Sequence, residues 1–280
     1  MKLLSIVFSF KNEEKNLKEL IERTTKSLSE LPNWKYEMIF VNDYSTDKSE
    51  EILLELQTKY PITIINMSRN FGVGPCVLAG FKQAKGDAII YIDSDLQDPP
   101  EIITQLVKEH ENGAEVVHTV RTKRLGESKI KMFLTIIAYK IINYFSDIPL
   151  HVNAGDFKLI SRKALDKILE LNEFRPYIRG LSVWVGYKQS KVHYVREPRS
   201  SGESNFSLFG AGPVNEFLTG ITSYSLKPLY LSIIFGFFAM FVSLILIIHT
   251  LMTFTTHTHT HTHTNAQTHK HNKELTWPVH

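Results

Sequence analysis

The chain has 280 residues, of which 22% are charged and 43% are hydrophobic, and its formal net charge is +3. This length accommodates one α/β domain with a smaller appendage. The near balance of charges shows no strong footprint of nucleic-acid binding, so nucleic acid is not an expected partner, and the single cysteine, Cys76, excludes an intramolecular disulfide.

The first third of the chain predicts strands that alternate with helices. Short apolar runs predict four strands, at residues 3–8, 38–41, 62–66 and 88–93. Apolar residues at helical spacing predict helices between them, the first capped by Asn12 and the second opened by Asp47 with Glu50. Because strands joined by helices pair in parallel, we predict an α/β fold with a mostly parallel, nucleotide-binding sheet.

Three polar segments follow the first three strands, at residues 9–13, 41–45 and 68–72. Each alone is compatible with ordinary turn chemistry, since Asn, Asp, Ser and Gly favour turns for local reasons. All three, however, fall at the carboxyl ends of strands, where ligands bind in open α/β sheets. Their convergence on one edge indicates a binding site.

The fourth strand ends in Asp-Ser-Asp-Leu-Gln-Asp-Pro-Pro-Glu, residues 93–101. Two carboxylates that flank one residue in a turn can reach the same divalent cation. Oxygen ligands suit Mg²⁺ or Mn²⁺, which also bridge to substrate phosphates. Asp98, Pro99 and Glu101 have the residue types of an N-cap, a first helical position and a capping box. We therefore predict a Mg²⁺ or Mn²⁺ site that holds a diphosphate, followed by a capped helix.

These nine residues resemble the metal motif of family 2 glycosyltransferases, in the branch that moves a sugar from a nucleotide onto a polyprenyl phosphate. The resemblance covers about residues 3–250. It implies a GT-A-like fold, a nucleotide diphosphate sugar as donor, and a metal site formed by Asp93, Asp95 and Gln97.

The same resemblance implies a set of residues that bind the nucleotide sugar, namely Asn12, Glu13, Asp43, Arg69, Gly72 and Asp93. In the family, the aspartate that matches Asp43 contacts the nucleotide base. Three positions depart from the family's pattern: Lys11 replaces an aromatic residue, Asn42 replaces Asp, and Tyr44 replaces Gly. The sequence therefore leaves the identity of the nucleotide open.

A basic cluster at residues 121–124 follows a fifth predicted strand, residues 116–120, which runs in the same direction as the fourth. A solvated basic face is the simpler interpretation of such a cluster. The planar guanidinium group of arginine can nevertheless donate two parallel hydrogen bonds to phosphate oxygens. We therefore predict that Arg121 and Arg124 bind the phosphate of the acceptor.

Residues 196–206 resemble the family's Arg…Gly-x-Ser-Lys segment, with Asn205 where Lys is usual. This resemblance adds Arg199 and Ser204 to the predicted acceptor phosphate site. One fewer cation near the acceptor is expected to weaken phosphate binding.

Residues 153–160 resemble the family's Gly-Asp-Phe-Arg-Leu element, in which the Asp lies beside the acceptor. We predict Asp156 and Asp95 as the catalytic residues. A hydroxyl acceptor would need Asp156 as a general base. A phosphate acceptor, with a second pKa of about 6, is mostly ionised at neutral pH, so that Asp156 would instead orient the acceptor or support the metal site. An aspartate that merely caps a helix or turn is the alternative.

The apolar run at residues 229–248 carries no charge and is long enough to cross the hydrocarbon core of a bilayer, about 30 Å. We predict a transmembrane helix at 227–254, a cytosolic catalytic domain at 1–205, a membrane-interface linker at 206–226 and a low-complexity His/Thr tail at 255–280. In a bacterium the membrane would be the cytoplasmic membrane. A buried helix of a soluble protein is the alternative.

Together these features predict metal-dependent, inverting transfer of a sugar from a nucleotide diphosphate sugar to a polyprenyl phosphate at the membrane. The alternatives are a family 2 transferase acting on a saccharide hydroxyl, a nucleotidyltransferase, and a non-catalytic membrane-tethered partner. Intact Asp93, Asp95 and Asp156 argue against the last. The sequence leaves open the sugar and whether the chain forms a homo-oligomer.

Overall fold

The computed structural model describes residues 1–124, 129–148, 154–173, 176–197 and 211–274. The chain divides into two compact units, Met1–Ser225 and Leu226–His280. In the described part of the first unit, helices surround a seven-stranded sheet, and the second unit contains one long helix.

Strands and helices alternate along most of the first unit. Its strands are β1 (Lys2–Phe10), β2 (Trp34–Asn42), β3 (Ile62–Asn66), β4 (Ala88–Asp93), β5 (Val116–Arg124), β6 (Ala154–Ser161) and β7 (Gln189–Arg196). Its α-helices are α1 (Leu17–Ser29), α2 (Ser49–Leu56), α3 (Val73–Gln83), α4 (Ile103–Glu111), α5 (Lys129–Phe145), α6 (Arg162–Glu170), α7 (Ile178–Trp184) and α8 (Ala211–Thr222). A short 3₁₀ helix, Pro100–Ile102, precedes α4.

The strand order is β3-β2-β1-β4-β6-β5-β7. β6 is antiparallel to both of its neighbours, and the other described pairings are parallel. The predicted α/β fold with a mostly parallel sheet is therefore confirmed. Because β6 separates β4 from β5 and opposes both, β4 and β5 run in the same direction, as predicted for the strand that precedes Arg121.

Two apolar layers fix the sheet, one on each face. The central strands are buried on both faces, which explains their nearly continuous apolar runs. One layer lies between the sheet and α1, α2 and α4, and the other lies between the sheet and α3, α6 and α7. Helices thus cover both faces, and the carboxyl ends of the strands remain as the edge at which polar loops can gather.

Gly80 lets α3 approach the sheet closely. A Cβ atom at this position would lie 2.3 Å from Cγ1 of Val7 on β1. The helix follows Gly72, whose φ of +85° lies in the left-handed region that favours glycine. The close packing of α3 places its first residues at the carboxyl edge of the sheet.

The prediction that Asn12 caps the first helix is wrong, because α1 begins at Leu17. Asn12 has a φ of 57°, and its side-chain oxygen accepts a hydrogen bond from the backbone N–H of Thr46 at 2.8 Å. The asparagine joins two loops, a partnership that its local sequence does not reveal.

The prediction that Asp98 caps a helix is also wrong. The helical turn after it begins at Pro100 and has no side-chain cap. Asp98 is fully buried and pairs with cations from β5 and β7, which a buried carboxylate requires. Glu101, the expected capping-box residue, accepts two hydrogen bonds of 2.9 Å from Arg23 instead.

Helices α5 and α8 pack together through a small cluster that includes Ile142, Phe217 and Ile221. Helix α8 lies within the segment that the sequence predicts as a membrane-interface linker. The structure places it in the first unit, Met1–Ser225.

The second unit consists of helix α9 (Lys227–Glu274). Its segment Lys227–Phe254 is, within the described residues, the one helix long and apolar enough to cross a membrane. The large apolar side chains of this segment are exposed. The helix continues beyond it into the His/Thr-rich residues that were predicted as a low-complexity tail.

Candidate active site

The predicted polar segments meet at the carboxyl edge of the sheet. Ser9 on β1 lies beside Asp93 on β4 and beside Val41 on β2, and Asn42 on β2 lies beside Asn66 on β3. The loops that leave these strands are therefore neighbours. The topology also reverses here, because β1 leads to β2 on one side and pairs with β4 on the other, and such a reversal opens a crevice for ligands.

Asp43 shapes the third of these loops. Its two carboxylate oxygens accept the backbone N–H groups of Phe71 at 2.7 Å and Gly72 at 2.9 Å. The guanidinium of Arg69 lies 4.0 Å from the centre of the Phe71 ring, a cation–π contact. The buried carboxylate of Asp43 thus fixes the conformation of residues 69–72. The contact of Asp43 with the nucleotide base stays a prediction, as do the roles of Arg69 and Gly72.

Asn12 and Glu13 join the first loop to the second. The backbone N–H of Asn12 donates to the hydroxyl of Ser45 at 3.0 Å, and that of Glu13 donates to the hydroxyl of Ser49 at 2.9 Å. Their roles toward the nucleotide sugar stay predictions. The bonds show how the first loop is held against the second loop and against the start of α2.

Negative charge is concentrated where β4 ends. Asp93 accepts a hydrogen bond of 2.5 Å from the hydroxyl of Tyr91. Burial, followed by the charges of Asp95, Asp156 and Asp98, raises the pKa of Asp93 to about 7. A bound cation would offset this repulsion, so the carboxylates fit the divalent ion that the sequence predicts.

The turn after β4 has a defined shape. Leu96 adopts a φ of 58° and buries its side chain, and Asp95 accepts the backbone N–H of Gln97 at 3.1 Å. Within the described residues, no group of three or more His, Cys, Asp or Glu side chains forms a complete metal cage. Two carboxylates are nevertheless a usual protein contribution to Mg²⁺, which keeps waters and substrate phosphates as its other ligands. The metal-binding role of Gln97 stays a prediction.

Asp156 on β6 forms a two-pronged ion pair with Arg179 on α7. Nε of Arg179 donates to Oδ1 at 2.8 Å, and Nη2 donates to the other carboxylate oxygen. Nη1 donates to the hydroxyl of Tyr139 at 3.0 Å. Burial by itself would raise the pKa of Asp156, but the charge and hydrogen bonds of Arg179, aided by Lys158 and Arg121, lower it to about 2. Asp156 is therefore ionised at neutral pH and is a poor proton acceptor.

Asp156 faces the same space as the start of α3. A cavity of about 40 Å³ is lined by Asp156, Tyr91 and Arg179 and by residues of α3 that include Val73 and Gly74. Tyr91 of β4, Asp156 of β6 and the first residues of α3 thus border one cavity. That donor and acceptor residues share a cleft stays a prediction.

The predicted acceptor residues are only partly described. Arg121 is 9% exposed, and its Nε donates to the hydroxyl of Tyr194 at 3.0 Å, so the solvated basic face considered for it is wrong. The side chain of Arg124, and Arg199 and Ser204 entirely, lie outside the described residues. The binding of an acceptor phosphate by these four residues stays a prediction.

Arg179 and Lys158 did not emerge from the sequence. Lys158 is buried on β6 and donates to the hydroxyl of Ser182 at 3.0 Å, and burial lowers its pKa to about 8. Arg179 lies 23 residues after its partner Asp156, on a different element. Neither residue has a local spacing signal, because both act through contacts that the sheet creates.

The model of Glycosyl transferase family 2 matches residues 5–169. An uncharacterized glycosyltransferase of Bacillus subtilis (strain 168), YkcC, is 40% identical over 259 residues, which cover 90% of this chain and 79% of the relative. The bactoprenol glucosyl transferase of Shigella phage SfV is 35% identical over 241 residues, which cover 86% of this chain and 78% of the relative. The structure of S. aureus TarS 1-349 in complex with UDP-GlcNAc has 16% identity and a TM-score of 0.48, and the match covers 81% of this chain and 74% of TarS 1-349.

The family model thus covers more than half of the chain, and two relatives of at least 35% identity extend over most of it. This agrees with the resemblance carried by the Asp-x-Asp segment. The chain belongs to glycosyl transferase family 2 and is a glycosyltransferase.

Proposed function

We propose that this glycosyltransferase moves a sugar from a nucleotide diphosphate sugar to a polyprenyl phosphate at a membrane, with inversion and with Mg²⁺ or Mn²⁺. The observation that carries the proposal is the match to a bactoprenol glucosyl transferase over 86% of the chain. The name of that relative specifies both a transferred glucosyl group and a polyprenyl acceptor. For this chain, the sugar and the nucleotide are left unspecified.

The carboxylates at the end of β4 support a diphosphate leaving group. Asp93 and Asp95 would hold the cation, which supplies positive charge where the departing diphosphate gains negative charge. The pKa of about 7 at Asp93, caused first by burial and then by neighbouring carboxylates, supports this proposal, because an added positive charge would offset that repulsion.

The state of Asp156 supports a phosphate acceptor over a hydroxyl acceptor. Transfer to a phosphate breaks the bond between the anomeric carbon and the diphosphate oxygen, and it forms a bond between that carbon and an acceptor phosphate oxygen. An ionised acceptor needs no proton removed, since its second pKa is about 6. With its pKa held at about 2 by Arg179 against the opposing effect of burial, Asp156 serves to orient Arg179 and the acceptor.

The apolar helix supports a location at the membrane. Segment Lys227–Phe254 has 28 residues, enough to span the hydrocarbon core, and large exposed apolar surfaces are unusual in soluble monomers. We propose that it anchors the enzyme beside its lipid acceptor, with the catalytic unit in the cytosol, where nucleotide sugars are found.

The proposal is tested by incubating the full chain in lipid nanodiscs with Mn²⁺, a panel of nucleotide sugars, and undecaprenyl or dolichyl phosphate. Lipid mass spectrometry should show a glycosyl phospholipid with one donor. Asp95→Asn should abolish the product, whereas Asp166→Asn, an exposed control on α6, should leave it unchanged. The absence of a glycosyl phospholipid with every donor would contradict the proposal.

A further inference from the structure

Asp98 is a buried carboxylate that the proposed chemistry does not use. The hydroxyl of Tyr194 donates to Oδ1, Nη2 of Arg121 lies 3.4 Å from Oδ2, and Nε of Arg196 lies 3.3 Å from Oδ1. Its side chain is 0% exposed, so its charge requires these partners. The guanidinium groups of Arg121 and Arg196 and the phenol of Tyr194 thus surround the carboxylate of Asp98. Asp98 lies in the turn that follows Asp93 and Asp95, the Asp-x-Asp turn.

The partners come from β5 and β7, not from the turn itself. A second link lies one residue earlier, where the carbonyl of Gln97 accepts the backbone N–H of Glu197 at 2.9 Å. The two strands are joined in turn, because Thr122 donates to the carbonyl of Tyr194 at 2.9 Å. The Asp-x-Asp turn is thus fastened at two consecutive residues to the far half of the sheet.

The same contacts hold Arg121 beside Asp156. A Cβ atom at Gly155 would lie 2.9 Å from Nη2 of Arg121, so the guanidinium covers the backbone immediately before Asp156. The partner that orients this guanidinium across Gly155 is Asp98, with Tyr194 bound to Nε. Asp98 thus lies in the turn that carries Asp95, and it reaches the strand that carries Asp156 through Arg121.

We propose that Asp98 is a positioning residue that sets the Asp-x-Asp turn for binding of a divalent cation with a nucleoside diphosphate. The inference rests on the proposed function, since it assigns the metal–diphosphate site to this turn. Groups that orient metal ligands without binding the metal themselves usually contribute a factor of about 10–100 to metal affinity. Asp98 touches neither substrate nor metal, and it acts through the geometry of Asp93 and Asp95.

The test uses the full chain in nanodiscs and measures Mn²⁺ binding by electron paramagnetic resonance. UDP, GDP and dTDP are each added, and the nucleotide that the wild type binds most tightly is retained. Asp98→Asn should weaken Mn²⁺ binding by about 10-fold or more. Glu101→Gln is a control in the 3₁₀ helix that follows the turn, where the carboxylate pairs with Arg23 and is 54% exposed. Its Mn²⁺ affinity should stay within about twofold of the wild type, as expected for an exposed ion pair.

Tyr194→Phe provides a second, milder variant, since it removes one donor to Asp98 and keeps the ring packed against Phe157. It should weaken Mn²⁺ binding in the same direction but less, and excess Mn²⁺ should restore kcat in both variants. A purely structural role would instead lower kcat at every Mn²⁺ concentration. A folded Asp98→Asn variant that binds Mn²⁺ with wild-type affinity would overturn the inference and leave the proposed function intact. If Asp98→Asn does not fold, the same result in Tyr194→Phe would overturn it. A wild type that binds no Mn²⁺–nucleotide complex would overturn the proposed function, and the inference with it.

Discussion

Replacing Asp156 by Asn separates a general base from an orienting group. In the structure, burial opposes ionisation of Asp156, yet Arg179 brings its pKa to about 2. Holding a proton on this carboxylate at pH 7 would then cost about 7 kcal/mol, at 1.36 kcal/mol for each pKa unit. A base so weak cannot supply the factor of about 10²–10⁴ that general base catalysis typically contributes.

We therefore expect Asp156→Asn to lower kcat by less than about 10²-fold, a loss that arises because Arg179 loses its partner. The pH dependence should be the same in both proteins, with an acidic limb at about pH 6 from ionisation of the acceptor phosphate. Rates should be measured with a radiolabelled donor, polyprenyl phosphate and saturating Mn²⁺, so that protonation of Asp93 does not add a second limb. Asp166→Asn is the matched surface control.

An acidic limb that is present in the wild type and disappears only in Asp156→Asn would contradict the orienting role of Asp156. That result would show a proton moving to Asp156 during the reaction. A hydroxyl acceptor would then replace polyprenyl phosphate as the leading proposal.

Three further predictions concern the Asp-x-Asp turn and the face of the sheet that α3 and α7 cover. Asp95→Asn should abolish transfer without changing the thermal unfolding midpoint, and recovery of full activity in Mn²⁺ would contradict the metal assignment. Burial lowers the pKa of Lys158 from 10.5 to about 8 in the folded protein. Between these pH values the unfolded chain binds more protons than the folded one, so the free energy of unfolding rises with pH, by up to about 1.4 kcal/mol per pH unit. Lys158→Met should remove this rise in thermal unfolding measured from pH 8 to 10.5. Gly80→Ala should destabilise the first unit by about 1–3 kcal/mol through its clash with Val7, and an unchanged midpoint would show that α3 can shift.

The strands of the nucleotide-binding half could be predicted from the sequence. Each is buried on both faces, and such burial leaves a short, continuous apolar run in the local sequence. Residues 3–8 and 88–93 lie within β1 and β4 as observed. The clustering of polar segments followed from the same pattern, since parallel strands end at one edge. The position of Asp93 and Asp95 at this edge could be predicted from the direction of β4 alone.

The partners of the buried charges could not be predicted in this way. Asp98 stands in an Asp-Pro-Pro-Glu sequence that imitates a helix start, yet its partners lie on β5 and β7, 23 and 96 residues away. Arg179 binds Asp156 only because α7 packs against the antiparallel strand β6. Such contacts depend on the strand order, which local spacing does not encode.

The proposed nucleophile is an already ionised lipid phosphate. The wild-type enzyme should be offered undecaprenyl phosphate and undecaprenol, which lacks the phosphate, in parallel nanodisc reactions followed by lipid mass spectrometry. We expect a hexosyl phosphodiester from the phosphate and no product from the alcohol. Glycosylation of undecaprenol at a comparable rate would contradict it.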